Sequence, residues 1–216
     1  MFEILSSANG IMTITILIIS IISSYILKRA YRRYNSFRNS GRLKTQDIAR
    51  KILDANGLNL ITVECSPAKG KIAEFYPKEQ TLELGLNIYS CDSIAAIAIT
   101  AREVGKIIRY YNDGRSFHFI KFFSGLSTSL YSIWLLILYI MFRLRIPPYL
   151  VATIYKYGFL LLLFAFILRL ITIPFILDEA STAKKELEDR GIIFGIELFQ
   201  VERMLVREVL RGLTFF

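Results

Sequence analysis

The chain has 216 residues, a net charge of +9, 54% hydrophobic residues and a mean hydropathy of +0.44, which is high for a soluble protein and directs attention to long apolar runs. The positive balance suits nucleic acid, anionic lipid or membrane topology. Two cysteines, Cys65 and Cys91, exclude a disulfide scaffold and read as buried thiols, and a single histidine, His118, argues against a site built on imidazole.

In chain order, the first element is the uncharged run 11–27, "IMTITILIISIISSYIL", long enough with its flanks to cross a bilayer core of about 30 Å. It lacks the basic start and small-residue cleavage site of a signal peptide. The basic cluster Lys28, Arg29, Arg32 and Arg33 follows it, which places the N-terminus outside and the next segment in the cytoplasm, with those four side chains as candidate lipid contacts. The alternation of this cluster with Tyr31, Tyr34 and Phe37 could also suit single-stranded nucleic acid. Directly beside a span, we read it as orientation and headgroup contact, with no nucleic-acid partner.

Residues 28–125 read as a cytoplasmic α+β domain. "TQDIARKILDANGLN" predicts an amphipathic helix with Thr45 as its cap, Ile48, Ile52 and Leu53 on one face and Gly57 as its stop. "LITVE", "IAEFY" and "TLELGL" predict strands, with the turn signal "CSPAKGK" between the first two. "CDSIAAIAITAREVGKIIRYYNDG" predicts a long helix over 92–111, capped by Cys91 or Asp92 and ended at Asn112-Asp113-Gly114. Two further spans follow, 126–142 and 157–177, joined by the proline turn "RLRIPPY". Arg169 inside the second of these is expected to snorkel or to face protein, and His118 to lie at a membrane interface. Residues 178–216 form a C-terminal helical segment on the cytoplasmic side.

Within the long helix, "AREVGK" has Arg102 and Lys106 at i and i+4, where histidines would give the zinc-protease pattern H-E-x-x-H around Glu103. Together with "ARKILDANGL" (49–58), "SIAAIAITAREVGK" (93–106), "TIPFILDEAS" (172–181) and "REVLRGLTFF", it resembles the YugP-type membrane zinc metallopeptidases from about Arg42 to Phe216. The resemblance implies a zincin-like small domain, helices plus a small antiparallel sheet, with three transmembrane helices and a mostly helical chain overall. It also implies two histidines and a later acidic residue as zinc ligands, with the glutamate as general base. Here the ligand positions hold Arg102, Lys106 and either Leu177 or Ile176 by register; only Glu103 stands in place.

Neither cation offers a metal a lone pair. The two could form a solvated basic face, could bind an anion or take part in metal-free catalysis, or could fill the vacated pocket and pair with Glu103, Asp178 or Glu179. We expect the last, with no zinc and no other cofactor. The function expected is that of a non-catalytic integral membrane pseudopeptidase that holds a protein partner or serves as a scaffold subunit, with membrane lipids around it. The alternative is a membrane zinc metallopeptidase with an atypical site. An extended peptide could pair along "TLELGL" as on a sheet edge.

Overall fold

The computed structural model describes residues 2–67, 72–144 and 147–212. Within them the chain is mostly helical: α1 (Phe2–Asn35), α2 (Thr45–Ala55), α3 (Leu86–Tyr89), α4 (Ile94–Asn112), α5 (Gly114–Leu144), α6 (Pro148–Asp189) and α7 (Gly195–Gly212), with strands β1 (Thr62–Ser66), β2 (Ala73–Tyr76) and β3 (Thr81–Gly85). It forms two compact units, the first from Met1–Tyr25, His118–Pro174 and Leu210–Phe216, the second from Ile26–Phe117 and Phe175–Val209.

Two helical stretches among the described residues are long and apolar enough to cross a membrane, Phe117–Met141 and Thr153–Asp189, and the first unit holds most of the residues of each. That is two where the sequence reading has three. The expected first span lies within α1, and the side chains of residues 11–13, 16, 17 and 20 are outside the described set; those that are described, such as Ile14, Ile18 and Ile21, are exposed. The second stretch has 37 residues, about 55 Å at about 1.5 Å per residue, well beyond a hydrocarbon core of about 30 Å. Its apolar run closes at Leu177, and the acidic residues begin at Asp178. The helix continues past that point to Asp189, with Pro174 inside it. Of the expected turn "RLRIPPY", residues 145 and 146 lie outside the described set; Pro148 opens α6, where its missing N–H costs nothing.

Tyr131 and Trp134 of α5 pack with Leu162 and Ala165 of α6 in the interior of this unit. The contact depends on Gly158, because a Cβ there would stand 2.0 Å from the Trp134 ring. A small residue lets one helix approach the other, which matters where lipid supplies no hydrophobic drive for association. Ser127 donates to the Ala165 carbonyl at 2.8 Å, and Arg169 donates to Ser124 Oγ at 2.7 Å. Arg169 is buried and faces protein, the second of the two placements expected for it; His118 is exposed on α5. Gly158→Val is expected to displace the indole and cost about 1–3 kcal/mol, the usual range for overpacking. Trp134 is the single tryptophan, so a shifted emission spectrum and a lowered melting temperature in detergent check this.

In the second unit, α2 buries Ile48, Ala49, Ile52 and Leu53 and ends before Gly57, whose φ of +73° is a conformation glycine adopts without strain. Thr45 does not cap it. Lys44 holds the cap position without a side-chain bond, and Thr45, the first helical residue, donates its hydroxyl to the Cys91 carbonyl at 2.5 Å. Nor do Cys91 or Asp92 cap α4: Ser93 does, accepting from the Ala96 N–H at 3.2 Å. The aliphatic half of α4, from Ile94 to Ala101, is buried and closes the core with Leu82 and Leu84 of β3. Asp113 separates α4 from α5, as the Asn-Asp-Gly signal predicts.

The sheet is mixed rather than antiparallel, in the order β1-β3-β2. β2 pairs β3 antiparallel through the turn at 77–80, while β1 runs parallel to β3 on its other side. The reason is burial. β3 is the most apolar strand and takes the centre, with Thr81, Leu82, Leu84 and Gly85 buried, and the more polar β1 is left on an edge. Two expectations fall with this arrangement. "TLELGL" has both edges occupied and offers none to a peptide. Cys65, on edge strand β1, is exposed, and Cys91 is half-buried, so the two are not the buried thiols expected. Of the turn "CSPAKGK", residues 68–71 lie outside the described set.

Candidate functional site

On α4, Arg102, Lys106 and Arg109 share one stripe, with Glu103 and Gly105 to either side. Gly105 sets the geometry. A Cβ there would lie 2.9 Å from the Glu179 carbonyl oxygen and 3.3 Å from the Ala183 backbone nitrogen. The backbones of α4 and the charged end of α6 therefore meet at this glycine, and Glu179 is pressed against the basic stripe with 5% of its surface exposed.

The charges pair in a definite pattern. Lys106 Nζ donates to Glu103 Oε2 at 3.0 Å, an i, i+3 pair within α4. The Asp178 carboxylate takes Arg109 Nη1 at 3.0 Å. Arg109 also donates to the Phe175 carbonyl at 2.8 Å and stands 5.0 Å from the Phe175 ring centre. Glu179 sits among the cations. Burial pushes its carboxyl above the ordinary range, Arg102 and Lys106 pull it down, Glu103 adds a smaller upward push, and Arg109 a smaller downward one. Arg102 thus joins the cluster through the field at Glu179. Arg109 is the member that sequence reasoning misses, although it lies one turn beyond Lys106 on the same stripe. Of the two residues that could hold the third ligand position, Ile176 packs against the core and Leu177 points outward, 48% exposed.

The donor set does not suit zinc. At the two helix positions that would grip the ion stand a guanidinium and an ammonium already engaged with Glu103, and zinc sites are built from thiolate, imidazole and carboxylate. Among the described residues no three His, Cys, Asp or Glu side chains group so that they could hold a metal. What the arrangement can do is electrostatic: three cations and three carboxylates, Glu103, Asp178 and Glu179, tie the two helices together beside a buried glycine contact.

These features, a pair of membrane-length helices joined to an α+β unit whose long helix carries the degenerate "AREVGK" signature, define a membrane protein of metallopeptidase type. The chain belongs to the family described as "Putative neutral zinc metallopeptidase", whose model matches residues 10–210. It is also similar to the "Putative membrane protease YugP" of Bacillus subtilis (strain 168), 26% identical over 204 residues that cover 90% of this chain and 84% of that protein. No solved structure matches it.

Proposed function

We propose that this chain is a membrane pseudopeptidase, a non-catalytic member of its family that holds a protein partner in a membrane assembly. The observation that carries the reading is the chemistry at the ligand positions: Arg102 and Lys106 flank Glu103, and Lys106 neutralises that carboxylate at 3.0 Å. A general base held in an ion pair, with no imidazole beside it, is poorly placed to activate a metal-bound water. In this reading the α+β unit keeps a zincin-like form, and the paired charges take over the joining role of the lost metal.

The experiment is metal analysis of the purified protein after dialysis, with a peptidase assay on the same sample. Background zinc and no peptide hydrolysis are expected. Stoichiometric zinc that disappears with Glu103→Gln or Glu179→Gln would instead establish the alternative, a zinc metallopeptidase with an atypical site.

The reading also places residues 28–125 and 178–216 in the cytoplasm, with the basic cluster after 11–27 as the warrant. The exposed Cys65 offers a natural reporter. A membrane-impermeant thiol reagent should leave it unlabelled in intact cells and label it after permeabilisation, and a cysteine at Arg190 in a Cys65→Ser background should behave alike. Opposite behaviour of the two positions would refute this topology.

A further inference from the structure

α7 is apolar on two opposite faces. One packs inward through Val201, Met204 and Leu205. About 180° round the helix, Ile196, Phe199 and Val206 form an outer stripe, each more than half exposed, with Arg203 between the last two and its guanidinium 4.5 Å from the Phe199 ring centre. A second large apolar face on a surface helix marks an interaction site. From the charge beside it, we infer that this face is seated in the headgroup layer of an anionic membrane.

The charge beside the face favours lipid over protein. Arg207 reaches over the Tyr34 ring at 5.4 Å, which sets α7 beside the end of α1. There Tyr34 and Ala30 turn inward while Lys28, Arg29, Arg32 and Arg33 are all exposed. The apolar stripe is thus bordered by arginines of its own helix and by a cationic helix face, the composition of a helix that lies in the plane of an anionic bilayer surface. On its far side the stripe gives way to a polar depression of about 300 Å³, where Val206 meets Lys184, Lys185, Glu188 and Glu202, so the apolar face is bounded there by charges of both signs. This inference rests on the membrane character of the chain and not on whether the α4 site is catalytic.

The test uses the full-length protein reconstituted in vesicles of phosphatidylglycerol and phosphatidylcholine or of phosphatidylcholine alone. Fluorophores are placed singly at positions 199, 206 and 60 in a Cys65→Ser, Cys91→Ser background, and brominated lipids serve as quenchers. Leu60, 79% exposed on the α2–β1 connection, is the reference. Labels at 199 and 206 should be strongly quenched in the anionic vesicles and the label at 60 hardly at all. Neutral vesicles, or Arg203→Glu with Arg207→Glu, should reduce the quenching at 199, by about fivefold per arginine in the partition between seated and lifted helix. If 199 is as open to a water-soluble quencher as 60 in both vesicles, the inference fails. It fails equally if 199 is shielded from both quenchers, the result expected of a face covered by a second copy or another protein.

Discussion

Asp178→Ala with Glu179→Ala costs about 2–4 kcal/mol in the unfolding free energy of the α+β unit, the scale for stripping a buried charge cluster of its partners. Asp54→Ala, which opens the half-exposed Arg50–Asp54 pair, costs about 0–1 kcal/mol. The asymmetry follows from where the cations stand. Arg109 is mostly buried and loses the Asp178 carboxylate, and Arg102 and Lys106 lose the carboxyl that burial holds between them. Denaturant unfolding in detergent of the full chain, with Glu179→Gln alongside, separates charge from size. Because the Glu179 carboxyl is raised in the fold, it holds its proton more tightly there than in the unfolded chain. Its contribution is therefore greatest at low pH and falls as pH rises from the ordinary carboxyl range through the raised value. Glu179→Gln should flatten that part of the stability–pH curve. An Asp178/Glu179 variant no less stable than Asp54→Ala would show that the cluster joins nothing.

Much of this was open to reading from the residues because each element carries its own signal. The face of α2, the three strands and the ends of α4 follow from period, propensity and turn chemistry within a few residues. The misses need information from residues far along the chain. Which strand takes the centre of the sheet depends on what covers its two faces, so "TLELGL" could be recognised as a strand but not as the central one, and the exposure of Cys65 hangs on the same fact. Thr45 and Ser93 are both plausible caps by type. Thr45 loses the role because the Cys91 carbonyl takes its hydroxyl, a contact across 46 residues. At the site, Arg102, Glu103 and Lys106 are legible from a five-residue pattern, and the acids from a family segment. The division of labour between the acids is not, because adjacent residues on a helix point about 100° apart: Asp178 goes to Arg109 and Glu179 turns inward.

Gly105→Val should be the most damaging single change in the α+β unit, and its cause is backbone rather than charge. The new Cβ would stand 2.9 Å from the Glu179 carbonyl oxygen and 3.4 Å from the Ala183 Cβ. Neither can swing aside as the tip of a long side chain would, since both belong to the rod of α6. The helices must separate, and separation draws Glu179 away from Arg102 and Lys106 while loosening the buried contacts of Ala183 and Leu187. Overpacking costs about 1–3 kcal/mol where neighbours can relax; here the loss of the charge cluster adds to it, so about 3–5 kcal/mol is expected. Gly105→Ala, with the same first clash and no branch, should fall between this variant and the wild type. A double-mutant cycle with Glu179→Gln distinguishes the two contributions. If the glycine acts by holding the charges together, Glu179→Gln should cost much less in the Gly105→Val background than alone; additive losses would show that the close helix contact and the charge cluster stabilise the unit separately.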